Sequence, residues 1–216
     1  TLDYEFKEKY LLSFIGRRDQ SSRFSSEKSV AYFGSVLGGW IVSQEDFFKK
    51  DGFVNFLKLR GSYGTLGNDV AGNNDFRSFL GTSTYVLDNS LINGVATGKI
   101  PNNKIIWETD IKLDLGFDLR MLNNKIEITA DYFNDTRKDL LVGGVPISGI
   151  VGGFAPGSGA PTVNAGTVRN KGFELAINYK NDNNKVKYNL GFNVTTIDNE
   201  VLEVNNSTGY IEAGSF

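Results

Sequence analysis

The chain has 216 residues, of which 40% are hydrophobic and 22% charged, and its formal net charge is −2. This near-neutral balance gives no global basic field of the kind that attracts nucleic acid. Because the sequence contains neither His nor Cys, it excludes disulfides, zinc sites built on these ligands and catalytic triads that use a His base. The 25 glycines and 12% aromatic residues favour turn-rich β-structure.

The first half of the chain contains three segments with strand character. The segments 4–16 and 31–43 are apolar and aromatic but alternate imperfectly, and 17–29 joins them. The third segment, 57–64, alternates apolar and polar side chains with the period of two that predicts a strand with one apolar face.

The connections around this third strand differ in length. The segment 44–52 predicts an intermediate turn that contains one helical turn. A long, Gly-rich stretch leads from the strand to Trp107, and within it 76–98 predicts two short strands around 88–90.

The second half contains the clearest alternation. The stretch "IKLDLGFDL", 111–119, places apolar side chains at every odd position and charged residues or Gly at every even one. The segments 126–132, 173–179 and 188–194 repeat this pattern. Because successive side chains of a strand point to opposite faces, each segment predicts a strand with one apolar and one polar face.

These four strands predict two hairpins closed by short Asn-rich turns at 121–124 and 181–184. A slip of one residue in either hairpin would place apolar side chains opposite charged ones. The registers that we predict on this basis are Arg120 opposite Lys125 and Lys180 opposite Lys185.

Long connections alternate with these short ones, as in an outer-membrane barrel with short periplasmic turns and long outer loops. Trp107, Tyr179 and Tyr188 would then mark the two ends of a lipid-facing apolar band. The alternative is a soluble or surface-exposed β-sandwich that binds carbohydrate, in which the apolar face would form the core.

Sites for chemistry are not indicated. The stretch "GVATGK", 94–99, lacks the glycine spacing and the Ser or Thr of a phosphate loop, and 67–75 lacks the ligand spacing of a calcium loop. Acidic residues are frequent on the polar faces, but no pair stands out as an acid and a base. We therefore predict no catalytic, cofactor or metal site and no enzymatic activity.

Several motifs resemble the C-terminal barrel region of SusC-like (RagA-type) TonB-dependent outer-membrane receptors from Bacteroidetes. The family has a Trp-Glu pair before a D-x-G-x-D-like strand, as in Trp107 to Asp118, and then a short Asn-rich turn. A strand ending in D-Y-[FY]-x-x-x-T-[KR]-D-L-L follows, which is "DYFNDTRKDLL" at 131–141. The stretch "NAGTVRNKGFELAINY", 164–179, matches a further family motif, and 9–24, 32–48 and 57–68 are similar to family segments in the family's order.

This resemblance implies an all-β fold: an antiparallel transmembrane β-barrel, present in part as about eight or nine strands of a larger barrel. We expect residues 1–216 to be an internal part of the barrel domain. The signal peptide, plug, Ton box and final strands would then lie outside this stretch.

The resemblance also implies a function. The whole receptor would lie in the outer membrane of a Gram-negative cell and import bulky nutrients, typically oligosaccharides or peptides, together with a SusD-like lipoprotein lid. TonB would act through the plug, and outer-membrane lipid would surround the barrel. We expect the loops 17–29, 65–75 and 143–166 to contribute to lid docking or substrate capture.

The polar faces of the strands would form the wall of the lumen. The residues that we predict for this wall are Lys58, Arg60, Lys112, Asp114, Asp118, Glu127, Asp131, Glu174, Asn178, Asn189 and Asn193.

Overall fold

The computed structural model describes residues 1–49, 52–143, 159–181 and 186–204. Its strands are β1 (Leu2–Phe6), β2 (Tyr10–Gln20), β3 (Val30–Ile41), β4 (Val54–Asn68), β5 (Leu80–Leu87), β6 (Ser90–Thr97), β7 (Glu108–Met121), β8 (Ile126–Lys138), β9 (Leu141–Val142), β10 (Val163–Asn164), β11 (Gly166–Asn181) and β12 (Tyr188–Val204). A single 3₁₀ turn, Val42–Gln44, follows β3. Among the described residues, no helix has the length and apolarity to cross a membrane.

One antiparallel sheet contains eight of these strands, in the order β1-β2-β3-β4-β7-β8-β11-β12. Strands β5 and β6 form a separate hairpin, and β9 and β10 form a second small pair. The order of the strands in this sheet is their order along the chain, so that each strand pairs with its neighbours in sequence. This is the up-and-down topology of a barrel wall. The predicted partial barrel is therefore confirmed.

Short and long connections alternate as predicted, with one exception. The strands are joined at one end of the sheet by 7–9, 42–53, 122–125 and 182–187, which we call the short connections, and at the other end by 21–29, 69–107 and 139–165, which we call the long ones. The exception is 42–53, which has 12 residues and is longer than 21–29 with 9. Residues 182–184 of the second predicted turn, residue 185 and residues 144–158 of the last long connection lie outside the described residues.

Three predicted boundaries were wrong. The segment 4–16 is not one strand, because the chain turns at Lys7 and Glu8, which both have φ above 50°, and continues as β2. Strand β2 runs to Gln20, so the first long connection is 21–29 and not 17–29. The loop predicted at 65–75 begins only after Asn68, since 65–68 belong to β4.

Both predicted hairpins form, but their registers are offset from the prediction by an even number of residues. Arg120 lies opposite Glu127 rather than Lys125, and Lys180 lies opposite Asn189 rather than Lys185. An even offset leaves every side chain on its predicted face. The first turn closes through Leu122, Asn123 and Asn124, which all have positive φ, a conformation that Asn tolerates.

Most apolar side chains of the eight strands share one face of the large sheet, although Leu11, Leu37 and Phe133 lie on the opposite face. Leu115, for example, lies opposite Gly61 on one side and Tyr132 on the other, and Tyr132 lies opposite Phe173. This face stays uncovered: Leu115 is 52% exposed and Phe192 60%. The sandwich alternative is wrong, because a sandwich buries this face against a second sheet. An apolar face that no second layer of the described residues covers is the face that a barrel turns to lipid.

Aromatic rings lie at the end of this apolar face that is near the short connections. Near the short connections, Tyr10 stacks between Phe6 and Trp40 at centroid distances of 6.4 Å, and Tyr179 contacts Tyr188 at 5.8 Å. Such aromatic bands lie at the two interfaces of a bilayer.

Tyr132 and Phe173, whose ring centroids lie 5.0 Å apart, are the last apolar residues of this face on β8 and β11, and Tyr132 lies directly opposite Leu115. Trp107, which we predicted to mark the other end of the apolar face, is not part of an aromatic band. Its ring packs against Phe24 and Phe33, and its indole N–H donates to the Lys28 carbonyl.

A carboxylate organises the short connection between β3 and β4. Glu45 accepts hydrogen bonds from Lys9 Nζ at 2.9 Å, Tyr10 Oη at 2.6 Å and Trp40 Nε1 at 3.1 Å. These donors, with Tyr10 contributing most, lower the pKa of Glu45 to about 2. The ionised form of Glu45 therefore ties the β1–β2 turn to the end of β3.

Introducing a charge in the middle of the apolar face tests its contact with lipid. Leu115→Arg in the whole receptor should cost about 2–4 kcal/mol in a bilayer, because it places a guanidinium near the midplane. Asn178→Arg, on the opposite face of the sheet, should change stability by no more than about 0.5 kcal/mol. Urea titration of the receptor in lipid vesicles measures both variants, and equal costs would contradict the assignment of the faces.

The contacts of Glu45 predict how the stability of the protein depends on pH. Because the pKa of Glu45 is lowered in the folded state, its stabilisation is present above its ordinary value of 4.5 and is lost as the pH falls towards about 2. Glu45→Gln should therefore lower Tm at pH 7 and lose this effect near pH 2. Asp46→Asn, at an exposed neighbour, should show little effect at either pH. A Tm difference for Glu45→Gln that does not vary with pH would refute the assignment.

Candidate functional site on the polar face and in the long connections

The predicted wall residues all lie on the face opposite the apolar one. The register places Arg60, Gly116, Asp131 and Glu174 in one row across β4, β7, β8 and β11, and opposed residues in antiparallel strands share a face. The residues that the alternation adds to this face are Lys58, Lys112, Asp114, Asp118, Glu127, Asn178, Asn189 and Asn193.

Arg60 is the centre of the polar face. Its Nη1 and Nη2 atoms lie 2.8 Å from the two carboxylate oxygens of Asp131, and its Nε donates to Asp118 at 3.2 Å. Thr129 also donates to Asp118. Bidentate pairing of this kind fixes both the position and the plane of a guanidinium.

Gly116 makes the contact between Arg60 and Asp131 possible. Gly116 stands between these residues in the row, and a Cβ placed on it would collide with the Asp131 carboxylate and with the Ala130 carbonyl. The absence of a side chain at position 116 allows Arg60 on β4 to reach over β7 to β8. In the sequence, Gly116 stands out only as one of the even positions on the polar face of 111–119.

Further ion pairs connect β7 to β8. Lys112 lies 2.7 Å from Asp135, and Arg120 lies 3.1 Å from Glu127. The prediction included Lys112 and Glu127 but missed their partners, although Asp135 and Arg120 have the same parity as the predicted residues and could have been found from it. Each pair is partly exposed, so its contribution to stability is about 1 kcal/mol or less.

A cleft of about 600 Å³ opens on the polar face. Leu11 and Leu37 form an apolar wall, and Lys58, Arg60 and Asp114 form a charged one. An apolar surface with a few convergent polar groups is typical of a ligand-binding site. Because its lining comes from six neighbouring strands, the polar face is concave.

A second depression of about 510 Å³ adjoins the first and includes Phe133, Asp135 and Glu174. Glu174 lies directly opposite Asp131, a like-charge pairing that is unfavourable by itself and that the positive charge of Arg60 offsets. Among the described residues, no cluster of three or more acidic side chains could hold a metal ion. The remaining predicted residues, Asn178, Asn189 and Asn193, are exposed and lie outside both depressions.

The three long connections pack together into one unit, which we call the loop cluster. Its small core consists of Phe24 from 21–29 with Ala71 and Ile105 from 69–107, and Ile105 is fully buried. Leu141 from 139–165 packs against this core, together with Phe76 and Trp107.

Buried polar groups join the same connections. Lys99 Nζ donates to Asp75 and to Thr162 at 2.8 Å, and the Thr162 hydroxyl donates to Asp75. Burial raises the pKa of Asp75, but the hydrogen bonds from Lys99 and Thr162 outweigh it, so that the pKa lies below its ordinary value. Asp75 is therefore an ionised anchor between two long connections.

Glu108 is a second buried carboxylate of the loop cluster and is only 3% exposed. It accepts from Asn68 Nδ2 at 2.7 Å and from the Leu141 backbone N–H at 2.8 Å. Glu108 belongs to the Trp-Glu motif, to which the sequence analysis gave no structural role. It joins the ends of β4 and β7 to β9.

The β5–β6 hairpin projects from the loop cluster, and its apolar side chains are highly exposed. Leu80, Val86, Leu91 and Val95 share one of its faces and are 66–78% exposed. The hairpin between 80 and 97 contains a single charged residue, Asp88, in its turn. A two-stranded hairpin is marginally stable in water, and an exposed apolar patch of this kind marks an interaction surface.

Comparison with known proteins identifies similar chains. The family described as "TonB dependent receptor-like, beta-barrel" matches residues 1–213. A TonB-dependent receptor of Formosa agariphila is 34% identical over 99% of this chain, and SusC of Bacteroides thetaiotaomicron is 30% identical over 99%. The chain spans 20% and 22% of the length of these relatives. The solved RagAB peptide transporter matches with a TM-score of 0.81 and 26% identity, over 96% of this chain and 22% of that one.

We predict that a cavity in the core of the loop cluster destabilises the cluster without destabilising the large sheet. Ile105→Ala should cost the cluster about 2–4 kcal/mol, because it leaves a cavity at a fully buried position. Hydrogen exchange of the Ala165 N–H, which donates to Leu140 at 2.9 Å, should then accelerate while amides in the middle of β7 and β8 stay protected. Val70→Ala, at a position that is 56% exposed, serves as the control. Unchanged exchange in Ile105→Ala would show that the connections do not form one unit.

Proposed function

Because the chain belongs to the TonB-dependent receptor β-barrel family, whose model matches residues 1–213, we propose that it forms part of the wall and outer loops of an active importer of bulky nutrients. The family lies in the outer membrane. The observation that supports this proposal most directly is the match to SusC and to RagAB over nearly the whole chain, in both sequence and fold.

The two faces of the sheet have different roles in this proposal. The apolar face contacts lipid, and the concave polar face around Arg60 lines the lumen. Cross-strand ion pairs such as Arg60 with Asp131 hold the charged side chains flat against the wall, so that the lumen keeps its width. The long connections then lie on the outer side of the membrane, as they do in barrels of this type.

The proposed substrate is an oligosaccharide or a peptide. RagAB is described as a peptide transporter, and the same family includes SusC. The polar face offers charged groups of both signs, such as Lys58 and Asp114, and amides, such as Asn178. Hydrogen-bonding groups of this variety suit a polar substrate with many donors and acceptors.

The proposed partner on the outer side is a SusD-like lipoprotein lid. The loop cluster offers this lipoprotein a rigid surface, and the β5–β6 hairpin offers it an exposed apolar surface. Of the predicted loops, 21–29 and 69–75 belong to this rigid surface, whereas 144–158 lie outside the described residues. TonB acts in this proposal through a plug outside these 216 residues.

The hairpin provides the test. In the whole receptor, Val86→Ser with Leu91→Ser should reduce co-purification of the lipoprotein at least about tenfold, because burying each side chain contributes about 1.5–3 kcal/mol. Uptake of labelled oligosaccharide or peptide should fall with it. Thr84→Ser with Asn93→Ser, on the same face of the hairpin, is the matched control.

If the Val86→Ser/Leu91→Ser variant retains the lipoprotein in full, the hairpin is not part of the docking surface. Uptake by the unmodified receptor that persists when the membrane is de-energised would contradict active import itself.

A further inference from the structure

Lys58 is a cation of the polar face that has no carboxylate partner among the described residues. Other cations that the strands place on this face lie within 3.2 Å of a carboxylate oxygen, namely Arg17, Arg60, Lys112, Arg120 and Arg137. The register offers Lys58 the carboxylate of Asp118, directly opposite on β7. Arg60 and Thr129, however, already donate to the two oxygens of Asp118. The positive charge of Lys58 is therefore available to a ligand.

The side chain of Lys58 lies beside the apolar wall of the cleft. A Cβ placed on Gly39 would lie 3.4 Å from Lys58 Cε and 3.4 Å from Leu11 Cδ1, so both side chains reach over this glycine. Leu37, on the same face of β3, completes the apolar wall and is 39% exposed. A hydrocarbon surface and an unpaired ammonium group thus stand next to each other in one cleft.

The rest of the lining offers hydrogen bonds. Ser13 donates to Asp3, and Ser62 donates to Asp114 at 3.2 Å, and all four residues line the cleft. An ionised carboxylate has about four acceptor sites, so Asp3 and Asp114 each keep acceptor sites for further N–H donors. The cleft therefore combines a free cation, an apolar wall and acceptors that suit backbone amides.

We propose that this cleft binds the C-terminal end of a peptide whose last residue is apolar, with the terminal carboxylate on Lys58. This inference rests on the proposed function and deepens it, because it selects a peptide as the substrate. The last residue of a peptide carries its carboxylate and its side chain on one Cα. That arrangement matches an ammonium group beside the side chains of Leu11 and Leu37, and a pair of opposite charges forms a strong, charge-assisted hydrogen bond.

A neutral oligosaccharide fits the same cleft less well. It has no anionic group for Lys58, and its hydroxyl groups would lose water against the two leucines without gaining hydrogen bonds there. The chemistry of the lining therefore favours a peptide over a neutral sugar chain.

Two forms of one peptide test the role of the charge. In titration calorimetry with the purified whole receptor, a peptide ending in leucine should bind on the order of tenfold tighter with a free carboxylate than with a C-terminal amide. Lys58→Gln should remove this preference by weakening only the acid form, whereas Lys58→Arg should keep it. Lys49→Gln removes an exposed cation outside the cleft and should also keep it. Unchanged binding of the amide form shows that each variant is folded.

A second pair of peptides tests the apolar wall. Leu37→Asn should weaken binding of the peptide ending in leucine about fivefold, because less apolar surface is buried. Binding of the same peptide ending in glycine should stay unchanged. Ile15→Asn, at a position on the same face of β2 that does not line the cleft, is the control. Equal weakening of both peptides by Leu37→Asn would show that this wall does not contact the last side chain.

Three outcomes would overturn the proposal while leaving the import function intact. Equal weakening of the acid and amide forms by Lys58→Gln would assign Lys58 to a contact within the receptor. A preference for the acid form that survives Lys58→Gln would place the carboxylate elsewhere. Binding of a uronic-acid oligosaccharide through Lys58, with no binding of either peptide form, would make the substrate an acidic sugar. Energy-dependent uptake and lipoprotein co-purification report the proposed function separately, and their loss in the unmodified receptor would contradict import itself.

Discussion

The parity of side chains across the eight paired strands is the constraint on which the rest of the structure depends. Every outward residue of one strand lies opposite an outward residue of the next, as Gly61, Leu115, Tyr132 and Phe173 do. A shift by one residue in any pair would place charged side chains on the apolar face and apolar side chains on the polar face. Strand pairing also satisfies the backbone donors and acceptors, which have no water to bind within a bilayer.

The same constraint explains why so many charges fit on one face. In the row that contains Arg60, Gly116 and Asp131, a missing side chain lets a guanidinium cross one strand and pair with a carboxylate on the next. Ion pairs of this kind contribute little free energy individually. Their main effect is geometric, because they hold long side chains along the sheet and leave the space above it open.

The loop cluster is a second, smaller packing unit that depends on the sheet. The ends of β4 and β7 bring the long connections together, and Ile105, Asp75 and Glu108 join them through one apolar and two polar centres. The β5–β6 hairpin takes no part in this core. The structure thus combines a rigid base with an apolar projection, and an exposed apolar patch of this kind is typical of an interaction surface.

The sequence by itself determined most strands of the large sheet, their faces and the parity of the two hairpins, because alternation is a local property that the chain carries residue by residue. It did not determine the exact registers, since an even shift preserves every face. It also did not determine the turn at Lys7 and Glu8. Only the tertiary structure decided that Arg60 pairs with Asp118 and Asp131, and that Trp107 packs inside the loop cluster rather than in an aromatic band. These contacts join residues far apart in the chain, and their positions follow from the order and curvature of the whole sheet.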